Sequence, residues 1–225
     1  MTRLTLVSWN VHKAVGLDGR RDPARILAVL NEIGADVAIL QEADRRLGPR
    51  RAAIPRFLIA QETDYRPADV ARSEVSLGWH GNAILVRAGI EIDGAGRIDL
   101  PGLEPRGAIR VGIGGVTLVG THLGLLRGSR RQQMARICDH LGSRAPTAVV
   151  AGDFNEWAAV RGYEPFARAF EVTTPGPSYP AIRPIGALDG FAHGPGVRLT
   201  DAAVWRSPLA RRASDHLPVT ATVAV

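Results

Sequence analysis

Apolar and polar positions along the chain fall into blocks that read as strands more often than as helices. Leu4 to Val11 is an apolar, β-branched run that predicts a first strand, closing on Asn10 and His12. Asp22-Pro23 then opens a helix, with Asp as N-cap and Pro in the first turn. Ile26, Leu27, Leu30 and Ile33 give it an apolar stripe, and Gly34 ends it. Asp36 to Glu42 is a buried-type strand that ends on a carboxylate, and Arg45 to Arg56 is a loop rich in Arg, Gly and Pro. Asn82–Val86, Glu91–Leu100 and Ala108–Leu123 predict further strands split by glycine-rich turns. Ser129 to Leu141 predicts a helix with Met134, Ile137, Cys138 and Leu141 on one face. Thr147 to Asn155 is another buried strand, followed by a short helix around Tyr163–Phe170 and then loops. Val197–Trp205 and Leu217–Val225 complete the extended segments.

Most strands follow strands directly, so the order is not the alternation of a doubly wound sheet. Two packed sheets with helices outside, an α/β sandwich, accommodate it best. No linker, repeat or low-complexity tract divides the chain, so residues 1–225 are expected to form one domain. A 45% hydrophobic content with mixed charges excludes a disordered chain. No apolar run approaches the roughly 18 residues of a membrane span, and no signal-type segment precedes Leu4. With Cys138 as the one cysteine, no internal disulfide can form, and a cytoplasmic location is expected. The formal charge of +6 comes almost wholly from arginine, Lys13 being the one lysine. A chain this rich in Arg, Ala, Gly and Pro carries the mark of a GC-rich coding sequence, so charge alone does not name a partner.

Candidate chemistry sits where the strands end. Asn10 closes the first strand, Glu42 the second and His122 the long middle one. Asp153 and Asn155 end VVAGDFN, Asp189 sits in ALDGF, and Asp215-His216 precede the last strand. Singly, each is an ordinary turn or cap residue; together, six such endings made only of Asn, Asp, Glu and His form a coherent set. Glu42, Asp215 and the amide oxygen of Asn10 are hard oxygen donors that suit Mg²⁺ or Mn²⁺. His216 beside a carboxylate suits acid–base work or the neutralisation of phosphoryl charge. Hydrolysis of a phosphoester needs that combination.

The segments SWNV, ILQE, HGNAIL, THL, GDFN, ALDGF and SDHLPV, in that order from Asn10 to Val219, resemble the endonuclease/exonuclease/phosphatase superfamily of Mg²⁺-dependent phosphohydrolases. The resemblance implies a four-layer α/β/β/α sandwich of two mainly antiparallel sheets with helices outside. It also implies roles. Glu42 matches the main metal ligand, with Asn10 and Asp215 beside it. Asp153 matches the carboxylate that orients or deprotonates water, and Asn155 an amide on a phosphate oxygen. His216 matches the catalytic histidine and Asp189 its carboxylate partner, although ALDGF departs from the commoner pattern of Asp followed by His or Tyr and an apolar pair. His122 matches a phosphate-contacting position that is His in deoxyribonuclease-like members and Tyr in abasic-site endonucleases.

For the substrate, eight of the 22 residues in segments 43–56 and 124–131 are arginine, against 27 of 225 overall. Arg130 and Arg131, with Arg106 and Asn82, are the expected substrate contacts, and Arg45, Arg46, Arg50, Arg51, Arg56 and Arg127 complete the expected basic rim. Nucleic acid or an anionic phospholipid fits such a rim. Aromatic residues do not interleave with the arginines as in single-strand readers, and the sequence shows no amphipathic helix or apolar hairpin to dock on a bilayer. His12 and Lys13 in NVHKAVGLDGR resemble a compact bacterial subgroup and stand near substrate or in a surface loop. Trp9, Trp79, Trp157 and Trp205 read as core or rim packing, and Cys138 as an inert thiol. A catalytically inactive, polyanion-binding module on the same fold is the alternative.

Overall fold

In the computed structural model, which describes residues 2–45, 48–158 and 161–225, two six-stranded sheets pack face to face. The first is built from β1 (Arg3–Asn10), β2 (Val37–Gln41), β3 (Tyr65–Pro67), β4 (Ala83–Arg87), β11 (Arg198–Val204) and β12 (Val219–Ala224), in the order β11-β12-β1-β2-β4-β3. The second holds β5 (Gly94–Asp99), β6 (Gly107–Ile113), β7 (Val116–His122), β8 (Ala148–Asp153), β9 (Glu171–Thr173) and β10 (Asp189–His193), in the order β5-β6-β7-β8-β10-β9. Each sheet has a single parallel pair at its centre, β1 with β2 and β7 with β8; all other pairings are antiparallel. A parallel pair needs a crossover, and helices supply it: α1 (Pro23–Ile33) joins β1 to β2, and α3 (Arg127–Leu141) joins β7 to β8.

The central strands are buried on both faces, so they read as continuous apolar runs rather than alternating ones. In β2, Val37 and Ile39 face the other sheet, while Ala38 and Leu40 face α1, α2 (Arg56–Glu62) and α4 (Pro208–Ala213). In β8, Val149 and Ala151 face inward, while Ala148 and Val150 meet Met134, Ile137 and Leu141 of α3. The result is the expected α/β/β/α sandwich. Gly120 in β7 sets the spacing between the sheets, since a Cβ there would come within 2.8 Å of Ile39 Cγ2.

Local signals explain the helix that the sequence marks best. Asp22 caps α1 by accepting from the Arg25 amide, and Gly34 ends it in the left-handed conformation at φ 66°. The expected loop 45–56 is shorter than its composition implies, because Arg56 already starts α2. α3 begins at Arg127, two residues ahead of expectation, and the expected helix at 163–170 is a single 3-10 turn at Phe166–Arg168. No helix among the described residues is long and apolar enough to cross a membrane.

Candidate active site

The carboxyl ends of the two parallel pairs lie side by side, the position where open α/β sheets place their ligands. β1 ends on Asn10 and β2 runs into Glu42; β7 ends on His122 and β8 on Asp153, in direct register with each other. Asn10 Nδ2 donates to Asp153 Oδ2 at 3.1 Å and ties one sheet's end to the other's. Gly152 explains why GDFN carries its glycine: a Cβ there would lie 1.9 Å from the Thr121 carbonyl oxygen, so a side chain would push the β7–β8 ends apart.

Around Asp153 the site is fully buried. Its Oδ1 accepts from the Asn155 amide at 3.0 Å, and its Oδ2 lies 3.3 Å from His122 Nε2 and 3.7 Å from His216 Nε2. Asn155 holds a left-handed backbone at φ 52°, and its Nδ2 donates to the Leu123 carbonyl at 2.8 Å. β10 starts opposite the end of β8, in the register Asp189↔Asp153, and this sets Asp189 beneath His216. The Asp189 Oδ2 accepts from His216 Nδ1 at 2.9 Å and from Ser178 Oγ at 2.5 Å. His216 is thus held at one ring nitrogen while the other faces Asp153. Burial opposes its charge, but Asp189, Asp153 and Asp215 outweigh it and push its pKa up to about 10. His122 goes the other way: burial, helped by Arg106, brings it down to about 4 and keeps it neutral. Two histidines on one carboxylate therefore carry different charges.

The other half of the site is half-buried and carries oxygen donors. Glu42 sits at φ 52°, just past β2, ion-paired to Lys13. Burial opposes its charge, but the Lys13 ammonium hydrogen-bonded to it, with His12 nearby, holds its pKa below the ordinary value. Lys13 reaches it because His12, Lys13 and Ala14 take left-handed backbone in succession (φ 45°, 57° and 60°). Each non-glycine residue in that region costs about 1–3 kcal/mol, and such strain clusters at functional sites. Asp215 borders the same cleft, with His12 Nδ1 3.8 Å from its Oδ1. Ser214 Oγ donates to the Asn10 carbonyl at 2.7 Å and pins SDHLPV to β1. The Asn10 amide oxygen accepts from the His12 backbone at 3.1 Å and retains a second lone pair.

One cleft is lined by Asn10, Glu42, Arg106, His122, Asp153, Asn155, Asp215 and His216, so eight of the twelve residues named from the sequence meet there. Asp189 lies directly behind them, wholly buried. Three expected substrate contacts lie elsewhere. Asn82 is buried and donates to the Gly107 carbonyl at 2.8 Å, joining β4 to β6. Arg130 is buried in an ion pair with Glu156 at 2.9 Å and donates to the Leu125 carbonyl at 2.6 Å, so its guanidinium braces the loop after His122. Arg131 pairs with Glu164 at 2.8 Å on the outer side of α3. Arg46 lies outside the described residues. Sequence reasoning missed Ser178 and Tyr179, whose ring lies 4.7 Å from that of His216; nothing in their local pattern marks them.

The donor chemistry fits a metal ion in two ways. The ligand atoms of Asp153, Asp189 and His216 lie within 4.8 Å of one another, a cluster that could hold one. There, however, the His216–Asp189 hydrogen bond already occupies one nitrogen. Glu42, Asp215 and Asn10 offer oxygen only, the set that hard cations take.

The sequence model of the endonuclease/exonuclease/phosphatase family matches residues 7–216. The chain belongs to that family. Members of this family are hydrolases of phosphoesters. No curated protein matches the chain in sequence. Among solved structures, an endonuclease/exonuclease/phosphatase from Beutenbergia cavernae is 23% identical with a TM-score of 0.73, covering 100% of this chain and 72% of its own. A mannosyl-6-phosphatase from Bacteroides thetaiotaomicron is 16% identical with a TM-score of 0.76 (99% and 100% covered). TDP2 of D. rerio, complexed with a single strand DNA product, is 18% identical with a TM-score of 0.71 (100% of both chains). At these identities the likeness is one of fold.

Proposed function

We propose that this family member is a divalent-metal-dependent phosphodiesterase, with Mg²⁺ or Mn²⁺ held chiefly by Glu42 and assisted by Asp215 and Asn10. The observation that carries the reading is the cleft itself: His216, fixed on Asp189 at 2.9 Å and 3.7 Å from Asp153, shares it with the oxygen donors Glu42 and Asp215. When bound, the cation supplies charge neutralisation on the scissile phosphate. Asp153 orients a water and accepts its proton as the water oxygen forms the new bond to phosphorus. The bond from phosphorus to the leaving oxygen breaks, and that oxygen takes a proton from solvent on the open Glu42 side. Cationic His216, neutral His122 and the Asn155 amide donate to the phosphoryl oxygens, where negative charge develops in the transition state. Arg106, at the edge of the cleft and paired with Glu104 at 2.9 Å, borders the substrate. The substrate is an anionic phosphodiester, in nucleic acid or in a phospholipid. The neighbour solved with a single strand DNA product supports the first. The lone, half-buried Cys138 is in keeping with a reducing cytoplasm.

The test is turnover of DNA, RNA, phospholipid vesicles and a chromogenic phosphodiester with Mg²⁺, with Mn²⁺ and with EDTA. Turnover is expected with metal, lost in EDTA and reduced about 10²–10⁴-fold in Asp153→Asn, the range for a positioned acid–base group. Tight polyanion binding with no turnover on any substrate would instead establish the inactive binding module.

A further inference from the structure

The mouth of the cleft carries a feature that the catalytic reading leaves unused. Of the nine large apolar side chains exposed among the described residues, six stand in the loops around this one site. Leu103 (89% exposed) precedes Arg106, Leu125 and Leu126 follow His122, Trp157 (60%) follows Asn155, and Ile182 (71%) and Ile185 (69%) lie in the segment before Asp189. They sit on two banks. On one, the Leu125 amide donates to Glu104 Oε1 at 3.1 Å, which brings the Leu103 loop beside the loop after His122. On the other, the Trp157 ring packs on Tyr179 at 6.2 Å and against Gly186, where a Cβ would meet it at 2.9 Å.

The second bank is a hairpin. Tyr179 and Gly186 pair across a bridge, Ala181 is anchored to the Asp215 carbonyl at 2.7 Å, and the tip between them reads Ile182-Arg183-Pro184-Ile185. The sequence-based expectation that no apolar hairpin is present is therefore corrected. The signal was two isoleucines flanking an Arg-Pro, too short to register as a periodic pattern.

Around the corner of the same mouth the surface turns cationic. Arg45, Arg50 and Arg106 line a cleft that continues from Glu42 and His122 and also holds Asp44 and Glu104; Arg106 is paired with Glu104, whereas Arg45 and Arg50 have no carboxylate partner within 4 Å among the described residues. The exposed Arg183 at the hairpin tip is likewise unpaired among the described residues.

We propose that this mouth docks on an anionic phospholipid surface, with the Ile182–Ile185 tip and Trp157 entering the headgroup–acyl boundary and the arginines facing the lipid phosphates, so that the phosphodiester cleaved is one carried by a lipid. The inference rests on the phosphodiesterase reading above and narrows its substrate. Charge complementarity alone would serve a polynucleotide equally well, but five of the six apolar groups are aliphatic. They offer a base no face to stack on and would stay in water on nucleic acid. Stable attachment to a bilayer takes an apolar anchor together with a basic patch, and this mouth carries both.

The experiment is co-sedimentation of the full chain, in EDTA to stop turnover, with vesicles of phosphatidylcholine alone and of phosphatidylcholine with 30% phosphatidylglycerol. The chain is expected to pellet with the anionic vesicles, more weakly at high salt, and the tryptophan emission to shift to the blue. Ile182→Ser/Ile185→Ser should lower the partition coefficient at least tenfold while melting at the wild-type temperature, since both side chains are exposed. Trp157→Phe should abolish most of the blue shift. The proposal is overturned if the double variant pellets as the wild type does, or if the wild type ignores anionic vesicles. Hydrolysis of a soluble chromogenic phosphodiester by the wild type, measured in parallel with Mg²⁺, separates the two failures. Turnover without vesicle binding sinks the docking surface alone, whereas vesicle binding without turnover sinks the phosphodiesterase.

Discussion

The two sheets bring their central parallel pairs to one place and finish them differently. Where β7 and β8 end, His122, Asp153, Asn155, Asp189 and His216 are buried, joined by hydrogen bonds at 2.9–3.0 Å and by histidine–carboxylate approaches of 3.3 and 3.7 Å. Where β1 and β2 end, Glu42 and Asp215 are half-buried, and Glu42 is paired to Lys13 on a strained left-handed turn. The same topology thus yields a closed half, whose geometry the protein fixes by itself, and an open half of oxygen donors facing solvent. Burial is what makes the difference chemical. In the closed half Asp189 and Asp153, with Asp215 at its edge, hold one histidine cationic against the cost of burial, while burial leaves a second histidine on the same Asp153 neutral. In the open half, carboxylates remain accessible to a cation.

Three changes sharpen this contrast, taken from the largest effect down. Asp189→Asn removes the partner of His216 without removing its volume; turnover is expected to fall about 10²–10⁴-fold, by analogy with the loss of other orienting carboxylates behind catalytic histidines. A drop below tenfold would mean that His216 needs no such partner. Arg130→Met leaves Glu156 buried and unpaired, and should cost about 3 kcal/mol of stability in chemical denaturation. A stable variant with weakened substrate binding would return Arg130 to the substrate. The smallest effect concerns pH. The pKa of His216 is raised on folding, so its stabilisation is complete below about 6.5, its ordinary value, and is lost as pH rises towards 10. The melting temperature should therefore decline over that window, and decline less in Asp189→Asn; parallel declines would contradict the pairing.

How much of this was legible follows from where the information sits. The central strands are sandwiched on both faces, so their apolar runs stand out, and the polar residue that stops each run marks the site. β10, DGFAH, escaped because it has no β-branched residue and is specified by its neighbours β8 and β9. β3 and β9, three residues each, are edge strands held by their partners. α2 follows Pro55, which offers no side-chain cap, and leaves Phe57 exposed, so it carries no clean stripe. α4 did carry a signal, Ser207 capping Ala210 with Pro208 behind it, in a helix of only six residues. The arginine count pointed to the right end of the molecule without sorting its residues, because composition cannot tell an arginine that braces a loop, as Arg130 does, from one that faces a cleft, as Arg50 does.

The central claim is the division of labour between the halves, and one titration tests it: turnover of a chromogenic phosphodiester against Mg²⁺ concentration for wild type, Glu42→Gln and Asp189→Asn. The account predicts that Glu42→Gln moves the metal midpoint at least tenfold higher and recovers turnover as Mg²⁺ is raised. Asp189→Asn should keep the wild-type midpoint and stay slow at saturation. A shifted midpoint in Asp189→Asn, with Glu42→Gln unmoved, would place the metal in the buried half and contradict the account.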